Sequence, residues 1–260
     1  IDGGPVTTFA TAADVSLIDV ASITVNTAAG ADIITFNTFS LNALPDLTVN
    51  GGTGDDVVNF NGDITFETNA SLDVDLQNDH ATPGTDAVTV ASAADLVLSG
   101  TGTATVKVSK NFTINGGTFS TVNGNLTVEA NQQTTPTGGS FNGVDINAGL
   151  LQCTGTGNVL VKGKGGNSGG NQRGVFVQGT SSTLSSHSGT LTVVGTGGAN
   201  SGDNNIGVEV AGTAAQIASC GGGNVSVTGT GSGTGTSNYG VMVNNPGLIR
   251  TLYDPTCGTG

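Results

Sequence analysis

Tryptophan is absent from this 260-residue chain, methionine occurs once, and aromatic residues make up 4%. Flat surfaces for stacking sugar rings or nucleic-acid bases are therefore scarce. Lys and Arg number 6 against 19 Asp and Glu, for a net charge of −13. Phosphate backbones require clustered Lys and Arg, so this balance argues against nucleic acid as a partner. The three cysteines form no CxxC pair, which leaves no zinc or thiol-redox motif. No apolar run approaches the ~18–20 residues of a membrane helix. Strong helix formers are few, which excludes a helical bundle and a coiled coil.

Glycine is abundant instead, at 44 residues, and the rest is dominated by Thr, Ser, Asn and Val. That composition predicts an all-β protein with many glycine-marked corners. Internal repetition is the strongest signal. Gly-Val-x-Val/Ile occurs at Gly143–Ile146, Gly174–Val177, Gly207–Val210 and Gly240–Val243. A second phrase keeps pace at Asn125–Val128, Asn158–Val161, Thr190–Val193 and Asn224–Val227, and a third apolar spot follows at Leu150-Leu151, Leu184, Ile217 and Leu248-Ile249.

Each unit then holds three short strands, with alternation placing Leu126 and Val128 on one face and Asn125 and Thr127 on the other. Three such strands cannot bury their inner face alone, but stacked units can. The expected fold is one elongated right-handed parallel β-helix over residues 1–260. Residues 125–260 form regular coils of about 33 residues, and residues 1–124 form shorter, acidic coils. Upstream copies at Ser22–Val25, Asp46–Val49, Ser71–Val74 and Thr103–Val106 bring the expected total to about eight coils. Between 91 and 124 the register is open, because Asp95–Leu98 and Asn111–Ile114 could also begin a coil.

Fourteen acids precede the first base, Lys107, and five acids meet six bases from there on. The acidic half repeats Gly-x-Asp before an apolar pair, at Gly30–Ile34, Gly54–Val58 and Gly84–Val88. Stacked coils would place Asp32, Asp56 and Asp86 about 4.8 Å apart, a ladder that repels unless a cation or solvent intervenes. Around the middle copy, Gly51-Gly52-Thr53-Gly54-Asp55-Asp56-Val57-Val58-Asn59 resembles the calcium-binding nonapeptide of RTX proteins. The resemblance implies structural calcium at Asp32, Asp55, Asp56 and Asp86. The alternative reading is that each Asp is a turn residue bonding local backbone.

The wider phrasing of residues 15–260 is similar to the β-strand-repeat proteins of bacterial surfaces, including filamentous-haemagglutinin-like and autotransporter-like adhesins. That resemblance implies an extracellular, cell-surface location and an adhesive or structural role. Catalysis finds little support. Lys162, Lys164 and Arg173 are expected in one Gly-rich turn with no acid nearby in sequence, and Asp73 and Asp75 on a solvated strand face. His80 and His187 read as surface residues. Of the four sequons, at Asn69, Asn111, Asn125 and Asn224, the last three open strands, where Asn can bond the next coil. An outward column from Thr24 through Thr48, Thr105, Thr127 and Thr192 to Ser226 could suit ice, but Asp73 and Leu160 interrupt it.

Cys153, Cys220 and Cys257 fall at similar phases, with His187 in the coil between the first two. A Cys220–Cys257 bridge is expected, with Cys153 two coils away. With Ile rather than Met at position 1, the chain is expected to be a processed product or a piece of a longer one. Neither end shows a polar cap. Val15, Leu17 and Val20 at one end, and Leu248, Ile249 and Leu252 at the other, are expected to stack head-to-tail into a homopolymer. The leading expectation is a structural fibre segment, not an enzyme. The second is an adhesin-type module recognising surface glycans through the solenoid flank or its Gly-rich turns.

Overall fold

A computed structural model describes residues 7–9, 20–38, 43–77, 81, 84–244 and 246–252. All strands lie in three parallel sheets, and the chain visits them in turn. The opening sheet has eight strands: Ser22–Asn26, Asp46–Asn50, Leu72–Leu76, Ala104–Val108, Leu126–Ala130, Val159–Lys164, Leu191–Thr196 and Val225–Thr230. The middle sheet has nine, beginning with Thr7–Phe9 and Ile33–Phe36 and ending with Val241–Asn244. The closing sheet has seven, from Ile64–Thr65 to Leu248–Thr251. This is a β-solenoid with three strands per coil. Since the closing sheet limits complete coils, their number falls slightly below the eight expected.

The register explains why these residues stack. Leu47, Leu72, Ala104, Leu126, Val159 and Leu191 follow one another up the opening sheet, as do Val49, Val74, Val106, Val128, Val161 and Val193. Every member of both columns is buried. Alternation sends the residues between them outward, so each coil adds the same apolar faces to one continuous core. Each buried Val or Leu is worth roughly 1.5–3 kcal/mol over its exposed state. Phe36 and Phe60, in register on the middle sheet, stack with centroids 5.2 Å apart. The hydrophobic gain thus repeats coil by coil.

The open stretch between 91 and 124 resolves into four strands, one each of the opening and middle sheets and two of the closing sheet, the last being Thr118–Thr121. Asp95–Val97 closes a coil, Ala104–Val108 opens the next, and Asn111–Asn115 is its middle strand. The outward column Thr24, Thr48, Asp73, Thr105, Thr127, Leu160, Thr192 and Ser226 is in register throughout. Asn125 acts as expected of a strand-opening Asn, its Oδ1 accepting from the backbone N–H of Asn158 at 2.9 Å.

Two expectations are corrected. Lys162 and Lys164 belong to the strand Val159–Lys164 rather than to a turn. Acids absent from their local sequence come from neighbouring coils: Lys162 Nζ meets Glu129 Oε1 at 2.8 Å, and Arg173 Nε meets Glu209 Oε2 at 2.6 Å. Cys153 is also out of phase. It pairs in register with Ser186 and, through it, with Ser219, one residue before Cys220.

Candidate functional site

Four places on the solenoid could carry chemistry. The first is the acidic corner between the opening and middle sheets. Asp32, Asp56 and Asp86 do stack there, and all three are buried. The carboxylates of Asp56 and Asp86 accept from backbone donors of the preceding coil: Asp32 N–H donates to Asp56 Oδ1 at 2.9 Å, and Asp56 N–H to Asp86 Oδ1 at 2.7 Å. Asp86 closes the ladder on Ser109, whose hydroxyl donates to its Oδ2 at 2.7 Å. Asp55 is exposed and accepts from the Thr85 N–H at 2.9 Å. Among the described residues no group of three or more His, Cys, Asp or Glu is arranged to hold a metal ion.

The glycines of this corner serve coil packing. Gly52 and Gly54 both have positive φ, and a Cβ on either would collide with a carbonyl of the preceding coil, Ala28 or Gly30. A Cβ on Gly51 would sit 2.6 Å from Asp56 Oδ2. Tight stacking alone therefore requires Gly-Gly-x-Gly here. Asp203, at a Gly-rich corner further on, makes a related bond: the Thr236 N–H donates to its Oδ1 at 2.6 Å and holds its carboxyl below the usual range.

The second place is a charged cluster outside the middle sheet, where Asp145, Phe176 and Glu209 are in register. The Arg173 guanidinium lies 4.6 Å from the Phe176 ring centroid. Glu209, itself buried, accepts from Arg173 and from Asn244 Nδ2 at 2.7 Å. Its acceptors are engaged, so the cluster works as a staple across coils.

The third place is a trough outside the closing sheet, with a volume of about 230 Å³. Its floor is the register column Gln152, Ser185, Ala218 and Arg250. His187 lines it as a half-buried residue, not the plain surface residue expected, and its Nδ1 is shut off from solvent. Cys220 also lines the trough and is disulfide-bonded, whereas Cys153 is buried with a free thiol. Cys257, expected as the partner of Cys220, lies outside the described residues, as does His80.

The fourth place is the coil at 225–252. Val241 and Val243 continue the column of Val208 and Val210, which are 0% exposed, yet are themselves 41% and 44% exposed. Leu248 and Leu252 are exposed, while Ile249 packs partly buried on the core. At the other end Val20 is also partly buried against the core, and Val15 and Leu17 lie outside the described residues. No helix among the described residues is long and apolar enough to cross a membrane. The trough lay beyond sequence reasoning, because its residues are about one coil apart and share no motif.

These features define a β-solenoid with an open apolar edge and a flank trough lined by both polar and apolar side chains. Compared with known proteins, the chain matches no family model, no curated protein and no solved structure.

Proposed function

We propose that this chain is a structural segment of an extracellular bacterial surface fibre whose solenoid ends stack head-to-tail. The observation that carries this reading is the exposure of Val241 and Val243, members of columns that are buried from Ile34 and Phe36 through Val208 and Val210. An edge with core valines and unpaired backbone groups is a template for another coil. A second copy would bury it through a heterologous contact, and contacts that do not close propagate as filaments. The low Lys content and the Thr/Asn/Gly-rich coils fit display outside the cell. Electron microscopy of the purified protein, with sedimentation over a concentration series, tests this. Filaments that lengthen with concentration are expected, and a persistent monomer would reject stacking.

A second reading is favoured by the trough: an adhesin-type module that recognises carbohydrate through the solenoid flank. It predicts saturable binding on a glycan array by a protein that stays monomeric.

A further inference from the structure

The trough outside the closing sheet has a graded floor. The short side chains of Ser185 and Ala218, 7% and 4% exposed, form its centre, and the long ones of Gln152 and Arg250 bound it along the axis. Three rungs separate those two residues, roughly 14 Å at ~4.8 Å per rung. At about 230 Å³ the space falls below the ~300–1,000 Å³ of pockets for drug-sized ligands. It suits a single sugar ring.

A hydrogen-bond chain crosses three coils along one side. Gln216 Nε2 donates to Thr183 Oγ1 at 3.3 Å, and Gln216 Oε1 accepts from Arg250 Nε at 3.1 Å and Nη2 at 2.7 Å. The guanidinium is thus held by one edge, and its remaining N–H groups meet no other partner among the described residues. In an acidic protein whose ion pairs recruit Lys162 and Arg173, Arg250 meets no carboxylate among the described residues. No acid among the described residues lines the trough either. A planar guanidinium held along one edge, with no counter-ion among the described residues, is suited to a carboxylate from outside. The neighbouring amides, hydroxyls and His187 can bond sugar hydroxyls.

We propose that the trough binds a carboxylate-bearing monosaccharide unit, a uronic-acid type of residue, with its carboxylate on Arg250 and its ring over Ser185 and Ala218. This rests on the flank-recognition reading and is independent of head-to-tail stacking. The test is an amide-resolved NMR titration with methyl β-glucuronide, methyl β-glucoside and acetate. Glucuronide should saturably shift amides of Thr183–Ser186, Gln216–Ser219 and Leu248–Thr251. The glucoside, and the Arg250→Gln variant with glucuronide, should each bind about tenfold more weakly, the loss of one charge-assisted contact. Ala218→Phe fills the floor and should abolish binding, and unchanged melting curves verify that both variants fold. Equal affinity for glucuronide and glucoside would overturn the carboxylate assignment and leave flank recognition standing. Acetate binding as tightly as glucuronide would reduce the site to a bare anion contact and overturn the saccharide assignment. Absence of shifts with either sugar would reject both.

Discussion

Asp56 accepts the backbone N–H of Asp32 on its Oδ1 and sends its own N–H to Asp86, so each carboxylate is the partner of a buried donor. Removing one strands that donor, at a cost of about 1–3 kcal/mol. Asp56→Ala should therefore lower the melting temperature by several degrees, since each kcal/mol is worth about 2–4 °C at this size. With Oδ1 committed to amides, excess chelator should leave the wild-type melt unchanged. A fall on chelation that Asp56→Ala no longer shows would give the ladder a bridging cation. Asp73 carries a different signature. Partial burial raises its pKa, its neighbour Asp75 adds to the rise, and Lys107 opposes it. A carboxyl raised in the folded state binds more protons there than when unfolded. Stability is then lost as pH rises from the unfolded value through the raised one. Asp73→Asn should stabilise the protein at neutral pH by roughly 0.5 kcal/mol or less, because the group is exposed. Melts at pH 7 and about pH 3 check this: the gain should vanish in acid.

The corner between opening and middle strands shows how closely one element sits on the next. Gly54 has φ of +130° and Gly84, one coil on, +112°, and a Cβ on either would strike the carbonyl of the glycine before it. Gly54→Ala should destabilise the acidic half by more than the ~1 kcal/mol of an ordinary Gly-to-Ala mismatch. Hydrogen exchange should show protection lost first in Asp46–Asn50 and Val57–Phe60, and uniform protection would refute such tight stacking. Outside residues 91–124, strand order and register were legible in the chain because two phased apolar phrases and a period of two specify which residues face inward. The trough was not legible. Gln152, Ser185, Ala218 and Arg250 are ordinary outward residues, brought together only by stacking. Similarly, nothing near Arg173 announces Glu209, one coil away on the next middle strand. The burial of Asp32, Asp56 and Asp86 was hidden because Asp before an apolar pair reads as a solvated turn, and only the neighbouring coil supplies the amide that turns it inward.

For the whole molecule, the decisive surface is the rung at 241–244. Val241→Lys with Val243→Lys places two charges where a stacked coil would bury them unpaired, a cost of several kcal/mol. The double variant should stay monomeric by sedimentation at concentrations where the wild type forms filaments, with the same β-rich circular dichroism. Filaments that persist in the variant would assign assembly to another face. The three ladders also set how such a fibre would respond to being pulled. All strands run across the long axis, so the backbone hydrogen bonds joining coils lie along it. Tension applied end to end loads the opening, middle and closing ladders of a layer side by side, and none can part until the others do. Tension on a free chain terminus instead peels one strand at a time, breaking a few bonds per step. The same protein should therefore resist axial stretching far better than unravelling from a tip.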